Sequence, residues 1–364
     1  MARLLIVLIA IAILCPGLII AEEKQAPAKP DPKAERQAKI KELTKQLSDY
    51  DTQVRAAAAK SLGEMGARET APEIRKLIFS EKVIDVRIAA IRALGDMDAK
   101  DKDSVTDLIK LLKDDDYEIQ LAAISVMSQL KVQKFNPELY NLLNKDLSDD
   151  IKKAAINALS KMGVRDYNNE LIKMLDDKSA ANDKKCIAVY ALGKLGAKDA
   201  APKIAKLAKN QDEHAAIRQA ALGALGDLGA RDMIPDIIKL LADNDVDIRK
   251  TAVRALGKLN AKPAVPDLLN ILKTDAFVRS VAALALADMN VKEAVPDLIE
   301  LLKDKSQQLR GIAAIALIAL KQENQVPKEN IPDIKALLDI RDDELTARVH
   351  KALKALGVEV PEEK

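Results

Sequence analysis

Residues able to make or break bonds are few and scattered in this chain. Among 364 residues there are two histidines and two cysteines. His214 follows Glu213 in a predicted loop, and His350 precedes Lys351 near the end. A closed metal site needs three or four His, Cys or carboxylate ligands converging on one point, and neither histidine has companions at such a spacing. Cys186 has no histidine partner and reads as a half-buried packing residue. No glycine-rich phosphate loop and no Ser-His-Asp set is present. The sequence therefore predicts no catalytic residue, no metal and no cofactor.

What does recur is charge. Aligned on DIRKTAVRALGKLN at 247–260, the Arg249 position returns as Arg55, Arg87, Gln120, Lys152, Lys185, Arg218, Arg279, Arg310 and finally Thr346. Six residues before this marker stand Asp49, Glu81, Asp114, Asp146, Asp212, Asp243 and Asp304. Such rows make either an anion-binding strip or a structural ladder, in which the acid accepts backbone donors at a turn and pairs with arginine. Most of the arginines Arg55, Arg87, Arg218, Arg249, Arg279 and Arg310 have an acid of their own, so little positive charge is left free and the ladder is expected.

A second row, Glu73, Asp107, Glu138, Glu170, Asp236, Asp267, Asp297 and Asp333, suits the positive start of a helix. Three residues on lie Lys76, Lys110, Lys173, Lys206 and Lys239, then Asn270, Glu300 and Ala336. Lys173, Lys206 and Lys239 are candidate partner contacts on a face of mixed charge.

The elements that position these rows follow from apolar spacing. After each marker, apolar residues fall three, four, seven and ten positions on, as in Ala90, Ile91, Leu94 and Met97, which is one face of a helix. Eleven positions on come Gly66, Asp98, Lys131, Gly163, Gly196, Gly229, Asn260, Asn290, Lys321 and Gly357, mostly residues that tolerate the left-handed backbone ending a helix. Pro72, Pro137, Pro202, Pro235, Pro266, Pro296 and Pro332 then suit the first turn of a second helix, with Thr106 and Asn169 filling that column in two copies. Small residues eight after the marker, Gly63, Gly193 and Gly257 among them, let neighbouring helices approach. Nine helix pairs result. A lone second helix precedes them at 36–47 and a lone first helix follows at 342–357. No pair is large enough to bury its own face, so the pairs must stack.

The pattern R-x-x-A-x-x-A-L-G-x-L-G-x-x-x-A-x-P-x-L-I-x-L-L-x-D resembles the HEAT-like repeat of the phycobilisome lyase type across about 36–357. That resemblance implies an all-α fold, a right-handed α-solenoid with half-repeat caps, whose second helices line the concave surface. Its function is open, because such repeats serve bilin lyases, deoxyhypusine hydroxylases and scaffolds alike. The hydroxylase form implies paired His-Glu dipeptides holding two irons, and this chain has none. The HEAT-like DNA glycosylases imply a basic, aromatic groove. Here 58 basic residues face 56 acidic ones, aromatics are 2% and Trp is absent, so no nucleic-acid partner is expected.

Two copies depart from the pattern in a way that suggests a partner surface. Positions five and nine after the marker are usually polar, as in Lys60 with Glu64, but carry Leu284 in the eighth copy and Ile315 with Ala319 in the ninth. The run GIAAIALIAL at 311–320 is apolar on every face, so it needs cover from the connection at 321–330, a partner or a second copy of the chain.

The N-terminus reads as a separate object. Residues 1–21 hold an 18-residue apolar run after Arg3, a signal peptide or an uncleaved anchor, and imply a periplasmic or secreted location. Cys15 lacks the small residue expected before a lipidated cysteine. Residues 22–35 read as an extended Pro/Lys/Glu tether, and 358–364 as a tail. Together these features predict an exported, non-enzymatic scaffold that binds protein partners through its solenoid surface. The alternative is a lyase-like or enzyme-accessory protein presenting a small ligand in its concave face.

Overall fold

The computed structural model describes residues 31–359 apart from residue 178. The predicted leader or anchor at 1–21, Cys15, most of the tether and the end of the tail lie outside the described residues. Among those described, twenty α-helices and no strand are present. A lone α1 (Pro32–Gln46) opens the stack. First helices of the copies are α2 (Thr52–Glu64), α4 (Ile84–Asp96), α6 (Tyr117–Leu130), α8 (Asp149–Lys161), α10 (Asn182–Leu195), α12 (Ala215–Leu228), α14 (Val246–Lys258), α16 (Arg279–Asp288) and α18 (Gln307–Ala319), and α20 (Asp343–Ala355) closes the stack. Second helices are α3 (Ala71–Ser80), α5 (Lys102–Leu111), α7 (Asn136–Leu142), α9 (Asn168–Asp176), α11 (Ala201–Lys209), α13 (Ile234–Lys239), α15 (Val265–Thr274), α17 (Val295–Leu301) and α19 (Ile331–Ala336). The fold is an all-α solenoid.

All ten residues eleven positions after the marker have positive φ, from 48° at Asn260 to 73° at Gly163. Lys131 (φ 54°) and Lys321 (φ 60°) adopt it despite the cost to a β-carbon, about 1–2 kcal/mol. Stacking on both sides requires the turn wherever the local residue merely tolerates it. Proline occupies the first turn of seven of the second helices, Pro72 and Pro266 for example.

Two local boundaries differ from the sequence reading. Helix α1 begins at Pro32, inside the stretch expected to be tether through residue 35, because the Asp31 carboxylate accepts the Lys33 amide (3.1 Å) and proline suits the first turn. Helix α5 begins at Lys102, so Thr106 and Asp107 lie beyond its first turn. No proline sets that start, and Asp101 caps it from upstream, accepting from the amides of Asp103 and Ser104.

The core is a continuous seam. In α14 and at its C-cap the predicted inward residues Ala252, Val253, Leu256 and Leu259 are all buried. Successive first helices pack at very short range. A β-carbon on Gly63 would lie 2.8 Å from the Ala93 Cα, and one on Gly193 would lie 2.9 Å from the Ala224 Cα. In these copies glycine eight after one marker sits on alanine six after the next, whereas Gly95 meets Gln129 and Val126. Contacts between successive second helices are sparse by comparison. The more closely spaced layer lies inside the arc, so the first helices line the concave side. This corrects the expectation that the second helices do.

Candidate partner interface

The arginine row is the most regular polar feature, and it joins copies instead of closing within them. Arg55 Nε donates to Glu81 at 2.7 Å, Arg249 Nε to Asp275 at 3.0 Å, and Arg87 and Arg218 pair with Asp114 and Asp243. Arg279 lies a looser 3.9 Å from Asp304. Each acid belongs to the copy after its arginine, so the pairing inside one copy that the sequence suggested is corrected. From its own copy the arginine takes a carbonyl: Arg55 donates to Asp49 O at 2.8 Å and Arg249 to Asp243 O at 2.9 Å. The same acids accept turn amides, Val83 on Glu81 and Asp245 on Asp243. One carboxylate thus fixes a turn and clamps two copies together. Arg310, with no tenth copy to reach, pairs with Asp333 at 2.8 Å. Gly311 makes that approach possible, since a β-carbon there would lie 2.5 Å from the Asp333 carbonyl oxygen.

Electrostatics follow the clamps. The Arg55 hydrogen bond outweighs burial and holds Glu81 at about 2, well below the usual carboxylate range. Burial alone would raise Asp243, but hydrogen bonds from Arg218 and the Asp245 amide pull it below its ordinary value. In copies three to five the row carries Gln120, Lys152 and Lys185, and among the described residues no bridge of this kind forms there. Gln120 keeps only the carbonyl contact, donating to Asp114 O at 2.7 Å.

A second row of cations escaped the sequence reading. Arg36 donates to Met65 O (2.8 Å), Arg68 to Met97 O (2.8 Å) and Lys262 to Met289 O (2.6 Å). Each reaches the C-terminal carbonyls of a first helix in the following unit, where a positive charge is favoured. The signal was a cation thirteen after the marker in most copies.

The candidate contacts Leu284, Ile315 and Ala319 do not form one patch. Ile315 is buried at 3% exposure, Leu284 is half-buried and only Ala319 is exposed. Ile315 is thereby corrected as a contact residue: α20 packs against α18, and the turns Glu323–Gln325 and Lys328–Asn330 of the 321–330 connection also touch that helix. Helix α20 reaches further still. Arg348 pairs with Asp288 of α16 through two bonds of 2.7 and 2.8 Å, passing over α18, and with Glu344 at 2.7 Å. Under this bridge lies a cavity of about 290 Å³, floored by Val281, Leu284, Ile312 and Leu345. Arg254 and Lys258 stand on its α14 side, Asp288 and Glu344 on the other. Lys258 is held by Asp227 at 2.9 Å, whereas Arg254 has no ion pair among the described residues.

Lys173, Lys206 and Lys239 are all exposed on second helices, hence on the outer layer. Among the described residues Lys239 alone of the three has an ion pair, with Asp236 at 3.5 Å. Cys186 is half-buried and burial raises its thiol pKa, which disfavours the reactive thiolate. His214 is placed at the start of α12, where Nδ1 accepts the Ala216 amide at 3.3 Å. Among the described residues no cluster of His, Cys, Asp and Glu could hold a metal ion, and no helix is long and apolar enough to cross a membrane.

A family model for HEAT repeats matches this chain six times, over residues 40–128, 105–184, 136–214, 169–250, 205–287 and 265–357. No curated protein matches it significantly. Among solved structures, importin β in an ammonium sulfate condition is similar at 15% identity and a TM-score of 0.52, over 89% of this chain and 52% of that one. This chain thus spans about half of that protein. An engineered protein is 20% identical (TM-score 0.32; 88% of this chain, 100% of that one). Human deoxyhypusine hydroxylase in complex with glycerol is 16% identical (TM-score 0.32; 80% and 99%). At such identities the likeness concerns fold alone. The six family matches run without a gap from residue 40 to residue 357, and the chain belongs to the HEAT repeat family.

Proposed function

We propose that this protein is an exported, non-enzymatic scaffold that holds a protein partner against the concave face formed by its first helices. The observation that carries this reading is the cavity beneath the Arg348–Asp288 bridge. It has an apolar floor, a charged rim and a position on the inner layer, the features of a socket for an anchoring side chain. Export rests on the apolar run at 1–21. A photo-crosslinker at position 284 should give a discrete protein adduct in the native envelope fraction, one at position 173 on the outer layer should not, and Leu284→Asp should abolish capture in a variant that still melts cooperatively as a folded protein. Absence of any adduct at 284 would retire the reading. Fractionation with N-terminal sequencing tests export separately.

The cavity's size also favours a second reading, in which a small ligand is presented there, as the phycobilisome-lyase resemblance implies. About 290 Å³ is close to the lower end of small-molecule pockets, about 300 Å³. A purified protein that carries an extractable small molecule, lost in Leu284→Trp, would favour this reading over the first.

A further inference from the structure

Aromatic side chains are scarce here, yet half of them are not used for packing. Of five tyrosines and three phenylalanines, only Phe135 is fully buried, whereas Tyr50 is 94% exposed, Phe79 50%, Tyr117 43% and Phe277 69%. Two of these, Tyr50 and Tyr117, belong with exposed Val83 and Ile84 to consecutive turns that lead into α2, α4 and α6, and Phe79 stands in the last turn of α3 just before the second of them. Since every copy enters its first helix on the same edge of the stack, these side chains form one row along that edge. Neighbouring turns are within reach of each other: the Tyr117 hydroxyl donates to Asp150 at the start of α8, 3.4 Å away.

The row is set among carboxylates. Asp51, Asp85, Asp115, Asp116, Glu118 and Asp150 lie in these turns or the first helical turns beside them, against Lys82 and Lys113. None of the six is paired with an arginine of the ladder, which uses Glu81 and Asp114 at this end. One ring of this edge already meets a cation of the chain itself, the Lys110 ammonium 5.9 Å from the centre of the Phe79 ring, whereas among the described residues no cation stands over Tyr50 or Tyr117. Exposed aromatic faces among carboxylates attract ammonium and guanidinium groups, and they repel acidic chains and anionic lipid.

We infer that the edge of copies one to three binds an extended protein segment carrying lysine or arginine at every third residue. The spacing sets the register. Packed helices lie about 8–10 Å apart, and three residues of extended chain cover about 10 Å, so successive cations meet successive turns. This surface deepens the scaffold reading but lies apart from the concave cavity, so either can fail alone.

The test is a fluorescence-anisotropy titration of the full chain with a labelled heptapeptide having arginine at residues one, four and seven and serine between. Saturable binding that weakens with added salt is expected. Tyr50→Ala and Tyr117→Ala should each lower affinity about two- to fivefold, as loss of an exposed cation–π contact would. Phe277→Ala, on the same edge but far from this row, should leave it unchanged, and melts should show all three variants folded. A peptide with its three arginines adjacent should bind more weakly. No saturable binding, an equal loss in Phe277→Ala, indifference to both tyrosine variants, or preferential retention on anionic phosphatidylserine vesicles would each overturn the proposal.

Discussion

Copies three to five and copies six to nine share one fold but are joined differently. In the later copies each arginine of the row reaches an acid in the next copy or, for Arg310, the following helix, and Arg218 and Asp243 are both buried. In the earlier ones Gln120, Lys152 and Lys185 stand in the row; Asp177 takes the turn that Glu81 and Asp243 take elsewhere, accepting the Ser179 amide, but before copy six the neutral Asn210 takes it, accepting the Asp212 amide. Both regions nevertheless keep the left-handed turns and the apolar seam. The apolar seam therefore builds the solenoid, and the guanidinium clamps set how firmly particular copies are locked. A lysine cannot replace arginine in this role. The clamp needs one group that donates in several directions at once, to a carbonyl behind and a carboxylate ahead, which suits a planar guanidinium and not a single ammonium.

That contrast can be broken most sharply at its strongest rung. Arg218→Ala leaves the buried Asp243 without its counter-charge, and a loss of about 3–5 kcal/mol is expected in urea unfolding. Lys152→Ala, at the equivalent place in the other region, should change stability by less than about 0.5 kcal/mol. Equal losses at the two sites would mean that the clamps do not distinguish the regions.

The shared seam should be costly wherever it is cut. Leu256→Ala, fully buried in α14, is expected to lose about 2–5 kcal/mol. Leu353→Ala in the closing helix should lose less, because only one side of that helix has a neighbouring copy to collapse against. A loss at Leu256 below about 1 kcal/mol would contradict the packing described.

Acid should act on the clamped seams. Glu81, Asp114, Asp243 and Asp333 are all held below their ordinary values. A carboxylate with a depressed native pKa contributes its stability above its unfolded pKa, about 4.3 for Glu and 3.9 for Asp. That contribution disappears as pH falls through the native value. Urea midpoints should thus be level near pH 6 and fall between about pH 4.5 and pH 2. In Arg55→Ala, where Glu81 has lost its donor, the fall should be shallower, and an unchanged slope would detach the titration from the clamp.

The smallest effect is a gain. Lys152→Arg supplies a guanidinium to a copy whose following turn holds Asp177, an exposed residue, and should stabilise by no more than about 1 kcal/mol, in keeping with surface pairs. The thermal midpoint of this variant, with Lys185→Arg beside it, measures how far the weak region can be converted into the strong one.

Much of this architecture was legible beforehand because its determinants are local. The positive-φ column was visible through glycine and asparagine, and Lys131 and Lys321 could be placed in it by counting from the marker. Thr106 was misplaced by the same counting, since Asp101 offered an upstream cap that a column drawn on proline does not see. Ile315 looked available for contact because its position is polar in other copies. Nothing adjacent in sequence announces that α20 lies across α18.

Taken alone, the sequence determined the helix pairs, their turns, their number and the two half-repeat ends, since each depends on residues within a few positions of one another: an apolar face, a residue that accepts positive φ, a proline in the first turn. Only the tertiary structure decided which copy's acid meets which arginine, which helical layer faces inward, and that a cavity lies under the Arg348–Asp288 bridge. Those features join residues 26 apart at Arg55 and Glu81 and 60 apart at Arg348 and Asp288. Their meeting depends on the spacing and rotation between stacked copies, which glycine and alanine contacts along the whole seam impose together and no single copy contains.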